Sequence, residues 1–298
     1  MDSIRLKARA KINLGLDVLG KRENGYHDVR MVMQTVGIYD RLIITKIPED
    51  EIRININLKF LPVNENNLIY KAYKLMKDEY GFSGGIDVDL NKFIPIAAGM
   101  AGGSTDAAST MFAINRLFEL GLSNEELMKQ GVKIGADVPY CIMRGTALAE
   151  GIGEKLTKLS PMPHCHIVVA KPPINVSTKM VYESLDAGAI TKHPDIDAII
   201  EAINEGDVKK VAERMGNVLE DVTVPMYPVI ARIKNDMISQ GAYNAMMSGS
   251  GPTVFGIFPD EQTALKCKEY LKAQEDARQV YITETVSYTH LTLPTKRI

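Results

Sequence analysis

The sequence predicts an α+β fold in two halves, each with a sheet that helices cover. The first observation is a strict alternation of apolar and polar residues over residues 4–18, typical of a strand with one buried face. The second is that more strand patterns follow directly with no helix between them, which argues against a βαβ nucleotide-binding fold there. The third is a new series of strand and helix patterns that begins at His166.

The opening strands place two polar side chains together. Even positions from Ile4 to Val18 are apolar, so Lys11 and Asn13 share the polar face of the first strand. Three further strands are predicted, over residues 29–36, 42–47 and 52–58.

Helical patterns follow these strands. Four apolar residues at helical spacing predict the first helix: Leu68, Ala72, Leu75 and Met76. A second helix, rich in alanine and methionine, is predicted over residues 105–120, and Gly121 is expected to end it. Ser123 and Glu126 form a capping box that begins a third helix.

A proline-rich stretch, residues 159–164, marks the predicted junction between the halves. It divides the chain into an N-terminal domain of residues 1–158 and a C-terminal domain of residues 159–286. In the second domain, helices are predicted to begin near residues 177, 195, 207, 226 and 260, the fourth ending at Gly241 and the last near Ala273. Strands are predicted over residues 166–170 and 279–286, and residues 245–258 read as a strand, a glycine turn and a second strand.

The tail, residues 287–298, differs in kind from the rest of the chain. It has no cap, no clear period and a proline near its end, and it follows a strand that already completes the domain. We therefore expect this segment to be disordered or not native to the protein.

Composition excludes several classes of protein. The 298 residues are 45% hydrophobic and 24% charged, as expected of a globular chain that is long enough for about two domains of roughly 150 residues. The net charge of −2 disfavours a general nucleic-acid binder. Three widely spaced cysteines without a CxxC motif favour reduced thiols. No apolar run reaches membrane-spanning length, so we expect a cytoplasmic protein that does not bind a membrane. We also expect no nucleic-acid partner, and the oligomeric state, a monomer or a homodimer, stays open.

One glycine-rich segment, residues 95–106, leads directly into the second predicted helix. Its glycines would let backbone N–H groups approach a ligand, and the helix N-terminus would add further donors. Both features suit a phosphate, although an ordinary glycine turn before a helix has the same composition. No Lys-Ser/Thr pair follows the glycines, so the segment is not a P-loop.

Two other segments have two readings each. Residues 247–253 form a second glycine-rich loop, either a tight hairpin turn or a phosphate-side loop that faces the first. Asp137 lies after a helical pattern and before a proline, where a turn or cap residue is the ordinary interpretation.

Taken in order, these segments resemble the GHMP kinase superfamily. The matching pieces are Ala10-Lys-Ile-Asn-Leu-Gly15, Gly20-Lys-Arg-Glu-Asn-Gly-Tyr-His-Asp28, residues 94–108, Gly135-Ala-Asp-Val-Pro139, Ala149-Glu-Gly-Ile-Gly-Glu154 and Ser248-Gly-Ser-Gly251. The similarity spans about residues 4–286, and Ala98, Met100 and Ala101 depart from a more common Gly-Leu-Gly-type run. The Gly-Tyr-His and AEGIGE segments are most similar to members that act on a cytidine-diphosphate-linked methylerythritol.

The resemblance implies a fold and a reaction. The fold would be a domain like domain 2 of ribosomal protein S5 followed by a ferredoxin-like domain, with the site between them. The reaction would be phosphoryl transfer from ATP, with Mg²⁺, to the 2-hydroxyl of the small-molecule acceptor.

The resemblance also implies roles for individual residues. Asp137 would accept or orient the proton of the attacking hydroxyl, and Lys11 would keep Asp137 ionised and offset charge on the transferred group. The nucleotide side would comprise Lys92, Asn67 and the loop residues Pro95, Ile96, Ala97, Ala98, Gly99, Met100, Ala101, Gly102, Gly103, Ser104 and Thr105. The acceptor side would comprise Asn13, Tyr26, His27 and Tyr182, with Tyr182 stacked on cytosine. Ser104 and Thr105 are candidates near Mg²⁺, and no direct metal ligand is assigned.

Two alternatives stay open at this stage. One is another GHMP kinase with a smaller acceptor, of the homoserine or mevalonate type. The other is an RNA-binding or scaffolding protein, because an S5-like half does not by itself settle function.

Overall fold

The computed structural model describes residues 2–287, and the predicted tail lies outside this range apart from Ser287. Two sheets with helices packed on them make up the described part, which confirms the α+β class. The larger sheet has strands in the order β3-β4-β2-β1-β8, and β5 and β6 extend it from β2. Its strands are β1 (Ser3–Lys21), β2 (His27–Ile47), β3 (Ile52–Ile56), β4 (Gly85–Asn91), β5 (Thr146–Gly151), β6 (Lys155–Lys158) and β8 (Gly216–Asn217).

Strand β2 corrects one prediction, because residues 29–36 and 42–47 belong to a single strand. Among the intervening residues, those from 39 to 41 pair with β1, the last such pair being Arg9↔Tyr39, and pairing resumes at Lys11↔Thr35. The register shifts between those two pairs, and this irregularity in the ladder coincides with the break in the alternating pattern of the sequence.

Strand β1 is buried on one face only near its start. From Ala10 to Val18 every side chain is buried, and the apolar residues Ala10, Ile12 and Leu14 share a core cluster with second-half residues such as Ile199. The polar residues Lys11 and Asn13 are therefore 5% and 0% exposed and lie between the two halves of the molecule.

The helices of the first half follow the predicted order with one change of bounds. They are α1 (Leu68–Tyr80), α2 (Gly102–Leu117), α3 (Asn124–Gly131) and α4 (Val138–Met143), and the Ser123/Glu126 capping box begins α3 as predicted. Helix α2 begins three residues earlier than predicted and ends at Leu117, so Gly121 does not end it. The Asn115 side chain bonds both backbone polar groups of Leu122 and fixes the turn that follows the helix.

The second sheet is antiparallel, with strands in the order β11-β7-β10-β9. These strands are β7 (His166–Lys171), β9 (Asn244–Met247), β10 (Val254–Phe258) and β11 (Gln279–Glu284). The helices are α5 (Thr178–Ser184), α6 (Ile196–Glu205), α7 (Val208–Arg214), α8 (Glu220–Met226), α9 (Val229–Ser239) and α10 (Glu261–Lys272), with a short 3₁₀ helix at Ala187–Ala189. The helices predicted to begin near residues 177, 195, 207 and 260 are confirmed, and Ser177, Asp195, Asp207 and Asp260 cap them.

The helix predicted to begin near Met226 begins later, at Val229 after Pro228, and helix α8, which ends at Met226, was not predicted. Proline disfavours helical backbone at the residue before it, and Tyr227 is accordingly extended, with φ of −134°. Gly241 follows α9 in the left-handed region, with φ of +94°, as a residue just past a helix end should.

The two halves are joined through strand β1. Strand β8, from the second half of the chain, pairs in parallel with residues 15 and 16 of β1. The division after residue 158 stays a prediction. Within residues 2–287 no helix combines the length and apolar character that a bilayer crossing requires.

Candidate active site

Lys11 and Asp137 face each other at the junction of the halves. The Lys11 ammonium (Nζ) lies 3.9 Å from Asp137 Oδ2 and donates to Asn13 Oδ1 at 2.8 Å. The Asp137 side chain is 34% exposed, whereas that of Lys11 is 6% exposed. Lys11 is thus fixed by the sheet, and the carboxylate remains open to a molecule in the cleft.

Asp137 lies in a turn, as the ordinary interpretation expects, but its side chain does not cap the helix that follows. Asp137 occupies the N-cap position of α4, but its side chain accepts no capping bond. Pro139 near the start of the helix removes one N–H donor that a cap would satisfy. The backbone carbonyl of Asp137 accepts from Cys141 N at 3.0 Å, which holds the residue while its carboxylate stays free.

The glycine-rich loop has the geometry of an anion cradle. Gly99 and two alanines, Ala97 and Ala101, adopt positive φ values of 69°, 50° and 56°. Ala101 is the N-cap of α2 and makes no side-chain hydrogen bond, so the first N–H groups of the helix have no capping side chain. The N-terminus of α2 therefore offers unpaired donors and a positive dipole end to an anion.

The second glycine loop is a hairpin turn, and it also faces the first loop. It joins β9 to β10, whose register pairs Met247 with Val254. Ser248 Oγ donates to the Gly99 carbonyl at 3.0 Å, and a Cβ on Gly99 would meet Ser248 O at 2.1 Å. A Cβ on Gly249 would lie 3.6 Å from Lys11 Nζ. The hairpin reading is confirmed, and the loop faces the first glycine loop, whereas its place beside a phosphate stays a prediction.

Two residues expected at the nucleotide are occupied elsewhere. The Lys92 ammonium is bound by the carboxylates of Asp40 and Asp106, and its side chain is 5% exposed. Asn67 caps α1 by accepting from Ile69 N at 2.9 Å, and its amide donates to the Pro62 carbonyl at 2.7 Å. The structure therefore places these side chains around the loop without offering either as a free donor.

On the acceptor side, two aromatic rings meet at the start of β2. The rings of His27 and Tyr182 lie 5.3 Å apart between centroids, tilted by 38°. Tyr26 is 58% exposed, whereas His27 is buried, with no hydrogen-bond partner for Nε2 in the part of the chain described. A cavity of about 500 Å³ adjoins His27, and its lining includes Lys21, Ser184 and Asp186. A buried imidazole nitrogen without a partner is suited to read a polar edge of a ligand.

The environment of His27 favours its neutral form. Burial of the ring lowers the pKa of His27 below its ordinary value, and the Lys21 ammonium lowers that pKa further. A neutral imidazole offers one donor and one acceptor nitrogen, which suits recognition of a nucleobase edge.

The residues present fit a Mg²⁺ ion that arrives with a nucleotide. Mg²⁺ in such sites keeps several waters and is bound through one or two carboxylates and the substrate phosphates. Asp137 supplies a partly exposed carboxylate, and Ser104 a half-buried hydroxyl in the first turn of α2. Residues 2–287 contain no cluster of three or more histidine, cysteine or acidic side chains suited to a metal ion.

Sequence analysis missed three polar residues that hold the two loops. Asp40 and Asp106 bind Lys92, and Asn217 Nδ2 donates to the carbonyls of Met247 and Gly249 at 2.9 and 2.8 Å. Asp40 and Asn217 lie far in sequence from the loops they hold, and neither belongs to a local motif. Asp40 lies between two predicted strands, where a polar residue is not unusual.

Comparisons with known proteins agree with this geometry. One family model, described as the GHMP kinases N terminal domain, matches residues 67–145, and another, described as GHMP kinases C terminal, matches residues 199–277. The 4-diphosphocytidyl-2-C-methyl-D-erythritol kinase of Lachnospira eligens is 72% identical over 285 residues, which are 96% of this chain and 99% of that protein.

Solved structures extend the comparison. A crystal structure of 4-(cytidine 5'-diphospho)-2C-methyl-D-erythritol kinase matches with a TM-score of 0.81 at 29% identity, over 95% of this chain and 99% of that one. Homoserine kinase from Cytophaga hutchinsonii matches with a TM-score of 0.78 at 19% identity, over 96% of each chain. At that identity the second match is evidence of the fold alone.

Proposed function

The chain belongs to the GHMP kinase family and, within it, to the 4-diphosphocytidyl-2-C-methyl-D-erythritol kinases, and we propose that its cleft transfers the γ-phosphoryl group of ATP to the 2-hydroxyl of that cytidine-linked acceptor. This reaction serves the non-mevalonate route to isoprenoid precursors. The observation that carries the proposal is the Lys11–Asp137 pair, 3.9 Å apart beside an uncapped helix N-terminus.

The nucleotide side of the proposal is residues 95–105. Backbone N–H groups of the loop and of the first turn of α2 bind the phosphates, which need no side-chain cation there. The hairpin turn at residues 248–251 supports the loop through the Ser248–Gly99 bond. Lys92 and Asn67 stay on the nucleotide side as residues that shape the loop.

The chemical step falls to Lys11 and Asp137. Asp137 accepts a hydrogen bond from the acceptor hydroxyl and so orients a lone pair of the hydroxyl oxygen toward the γ-phosphorus of ATP. It takes the hydroxyl proton as the oxygen–phosphorus bond forms and the bond between the γ-phosphorus and ADP breaks. The buried Lys11 ammonium offsets negative charge on the transferred group. Asn13 holds the Lys11 ammonium through its Oδ1 and so sets its direction. Mg²⁺ bound with ATP would neutralise phosphate charge, and the Ser104 hydroxyl would help to hold it while Asp137 acts on the acceptor.

The acceptor side accounts for the cytidine moiety. Tyr182 offers a ring face for cytosine, with Tyr26 as a second, exposed ring, and His27 Nε2 reads the edge of the base. Homoserine and mevalonate have no base that would use these groups. The 72% identity to a kinase of the cytidine-linked compound supports this acceptor over the smaller ones.

An acceptor panel tests the proposal. ATP consumption by the purified protein is measured separately with equal concentrations of 4-diphosphocytidyl-2-C-methyl-D-erythritol, mevalonate and homoserine. A reaction that contains the protein and ATP but no acceptor is the control. We expect turnover with the first compound only. Faster turnover with mevalonate or homoserine than with the cytidine-linked compound would show that the proposed acceptor is wrong, although the chain would still belong to the GHMP kinase family.

A further inference from the structure

Lys92 carries a buried charge that the proposed chemistry does not use. Its ammonium lies 2.7 Å from Asp106 Oδ2 and is also bound by Asp40 Oδ2. The side chains of Lys92, Asp40 and Asp106 are 5%, 0% and 5% exposed. A buried cluster of this kind adds little net stability, because the cost of desolvating the charges offsets most of their attraction. Its main effect is to fix the relative positions of the segments that carry the three residues.

The three residues sit at the two ends of the glycine loop and on the strand beside it. Lys92 precedes the loop, and Asp106 follows it in α2. Asp40, on β2, accepts through Oδ1 from the backbone N–H groups of Phe93 at 2.6 Å and Ile94 at 2.9 Å. The ammonium thus connects the entry of the loop, its exit and the central sheet at one point.

The loop needs such a restraint. Ala97, Gly99 and Ala101 all hold positive φ, and backbone of this kind persists only where the surrounding structure fixes it. A Cβ on Gly102 would lie 3.3 Å from Lys92 Nζ, so the ammonium lies directly beneath the first residue of α2. We propose that Lys92 is a positioning residue of the ATP site, which joins the ends of the phosphate loop through Asp40 and Asp106 and sets ATP affinity without contacting ATP. This inference rests on the proposed function, since it takes residues 95–105 to be the phosphate site.

The two carboxylates are not equivalent. Asp40 accepts three hydrogen bonds and uses both of its oxygens. Asp106 uses only Oδ2, and its buried Oδ1 has no partner among the described residues. Burial, together with the neighbouring Asp40 carboxylate, raises the pKa of Asp106 well above its ordinary value. A neutral group with one acceptor oxygen therefore suffices at position 106.

The test compares substitutions that keep and remove the connection. Asp106→Asn retains an acceptor oxygen for Lys92, whereas Asp106→Leu and Lys92→Met remove the bond. Steady-state KM values for ATP and for the cytidine-linked acceptor, kcat, and the thermal unfolding midpoint are measured for each variant. We expect the ATP KM of Asp106→Asn to stay within about threefold of the wild-type value. Asp106→Leu and Lys92→Met should each raise the ATP KM about tenfold or more. The acceptor KM of all three variants should stay within about twofold of the wild-type value.

Several outcomes would overturn the proposal. If Lys92 contacted ATP directly, its release in Asp106→Leu would leave ATP affinity unchanged or improve it, and Asp106→Asn would not differ from Asp106→Leu. If the cluster served folding alone, the unfolding midpoint would fall while both KM values stayed level or rose together. If Lys92→Met fails to fold, the Asp106→Asn and Asp106→Leu pair still decides between these outcomes.

Gly99→Ala separates this proposal from the proposed function. Its added Cβ would meet Ser248 O at 2.1 Å and would distort the loop directly. A raised ATP KM in Gly99→Ala, with no change in Lys92→Met, would overturn the positioning role alone. An unchanged ATP KM in Gly99→Ala would instead show that the loop is not the phosphate site.

Discussion

Ser248 Oγ donates a hydrogen bond of 3.0 Å to the carbonyl of Gly99, and this bond joins a turn of the second sheet to the glycine loop of the first half. The two loops therefore form one wall of the cleft. Because Gly99 has a positive φ, its carbonyl direction depends on a conformation that Ser248 helps to fix.

Loss of this bond should weaken ATP binding selectively. In Ser248→Ala we expect the ATP KM to rise several-fold, consistent with about 1 kcal/mol for one hydrogen bond, and the acceptor KM to stay level. Ser239→Ala is the matched control, because Ser239 Oγ donates at 2.8 Å to a helix carbonyl on the exposed surface. Equal increases of both KM values in Ser248→Ala would contradict a loop-specific role.

Ala97 is strained in the loop and should tolerate glycine. Its side chain is exposed, and its φ of +50° costs an alanine about 1–2 kcal/mol. We expect Ala97→Gly to leave the free energy of unfolding unchanged or to raise it by up to about 1 kcal/mol, in denaturant titrations. Ala231→Gly, in helix α9, should lower it by about 1 kcal/mol. Equal losses in both variants would show that Ala97 is not strained.

The cytidine base should be recognised by Tyr182 and His27. We expect Tyr182→Ala to raise the acceptor KM by an amount equivalent to about 1–3 kcal/mol of lost stacking and to leave the ATP KM nearly unchanged, with Tyr182→Phe close to wild type. CMP should compete with the acceptor better than UMP, and His27→Gln should narrow that difference. Absence of any CMP competition would contradict a cytidine subsite.

Acid should affect stability and acceptor binding through His27. Because burial lowers the pKa of His27, the unfolded chain takes up this proton first as the pH falls below roughly 6.5, its unperturbed value. The contribution of His27 to stability is therefore present above that pH and is lost as the pH falls toward the lower folded-state pKa. The acceptor KM should be flat at neutral pH and should rise in the same acidic range.

Two variants check this pH dependence. His27→Gln removes the titrating group and should flatten both profiles, whereas His164→Gln, at an exposed position, should leave them as in wild type. An acceptor KM that rises in acid equally in His27→Gln would assign the effect to another group.

Local signals in the sequence predicted most elements of the fold. The Ser123/Glu126 capping box, the single-residue caps at Ser177, Asp195 and Asp207, and the strand-turn-strand pattern before Asp260 act within a few residues, so they could be identified without tertiary information. The errors in strand bounds and burial arose where contacts between residues distant in sequence determine the structure. Strand β2 continues through its irregular middle because β1 pairs with it on either side, and β1 is buried on both faces where residues of the second half pack against it.

The residues of the candidate site fall into the same two groups, those found in local motifs and those that depend on distant contacts. Lys11, Asp137 and the glycine loop lie in local motifs, and the structure brings them together. Asp40, Asp106 and Asn217 act through hydrogen bonds to residues whose proximity only the fold creates. The buried state of Lys92 depends on the same contacts, which sequence spacing does not encode.

The turnover numbers of Lys11→Ala, Asp137→Asn and the double variant measure what the Lys11–Asp137 pair contributes to phosphoryl transfer. We expect each single change to lower kcat by orders of magnitude with a thermal unfolding midpoint close to that of wild type, and the double variant to lose far less than the sum of the two effects, because both groups act on one transition state. Near-normal turnover in either single variant, or fully additive losses in the double variant, would contradict the account.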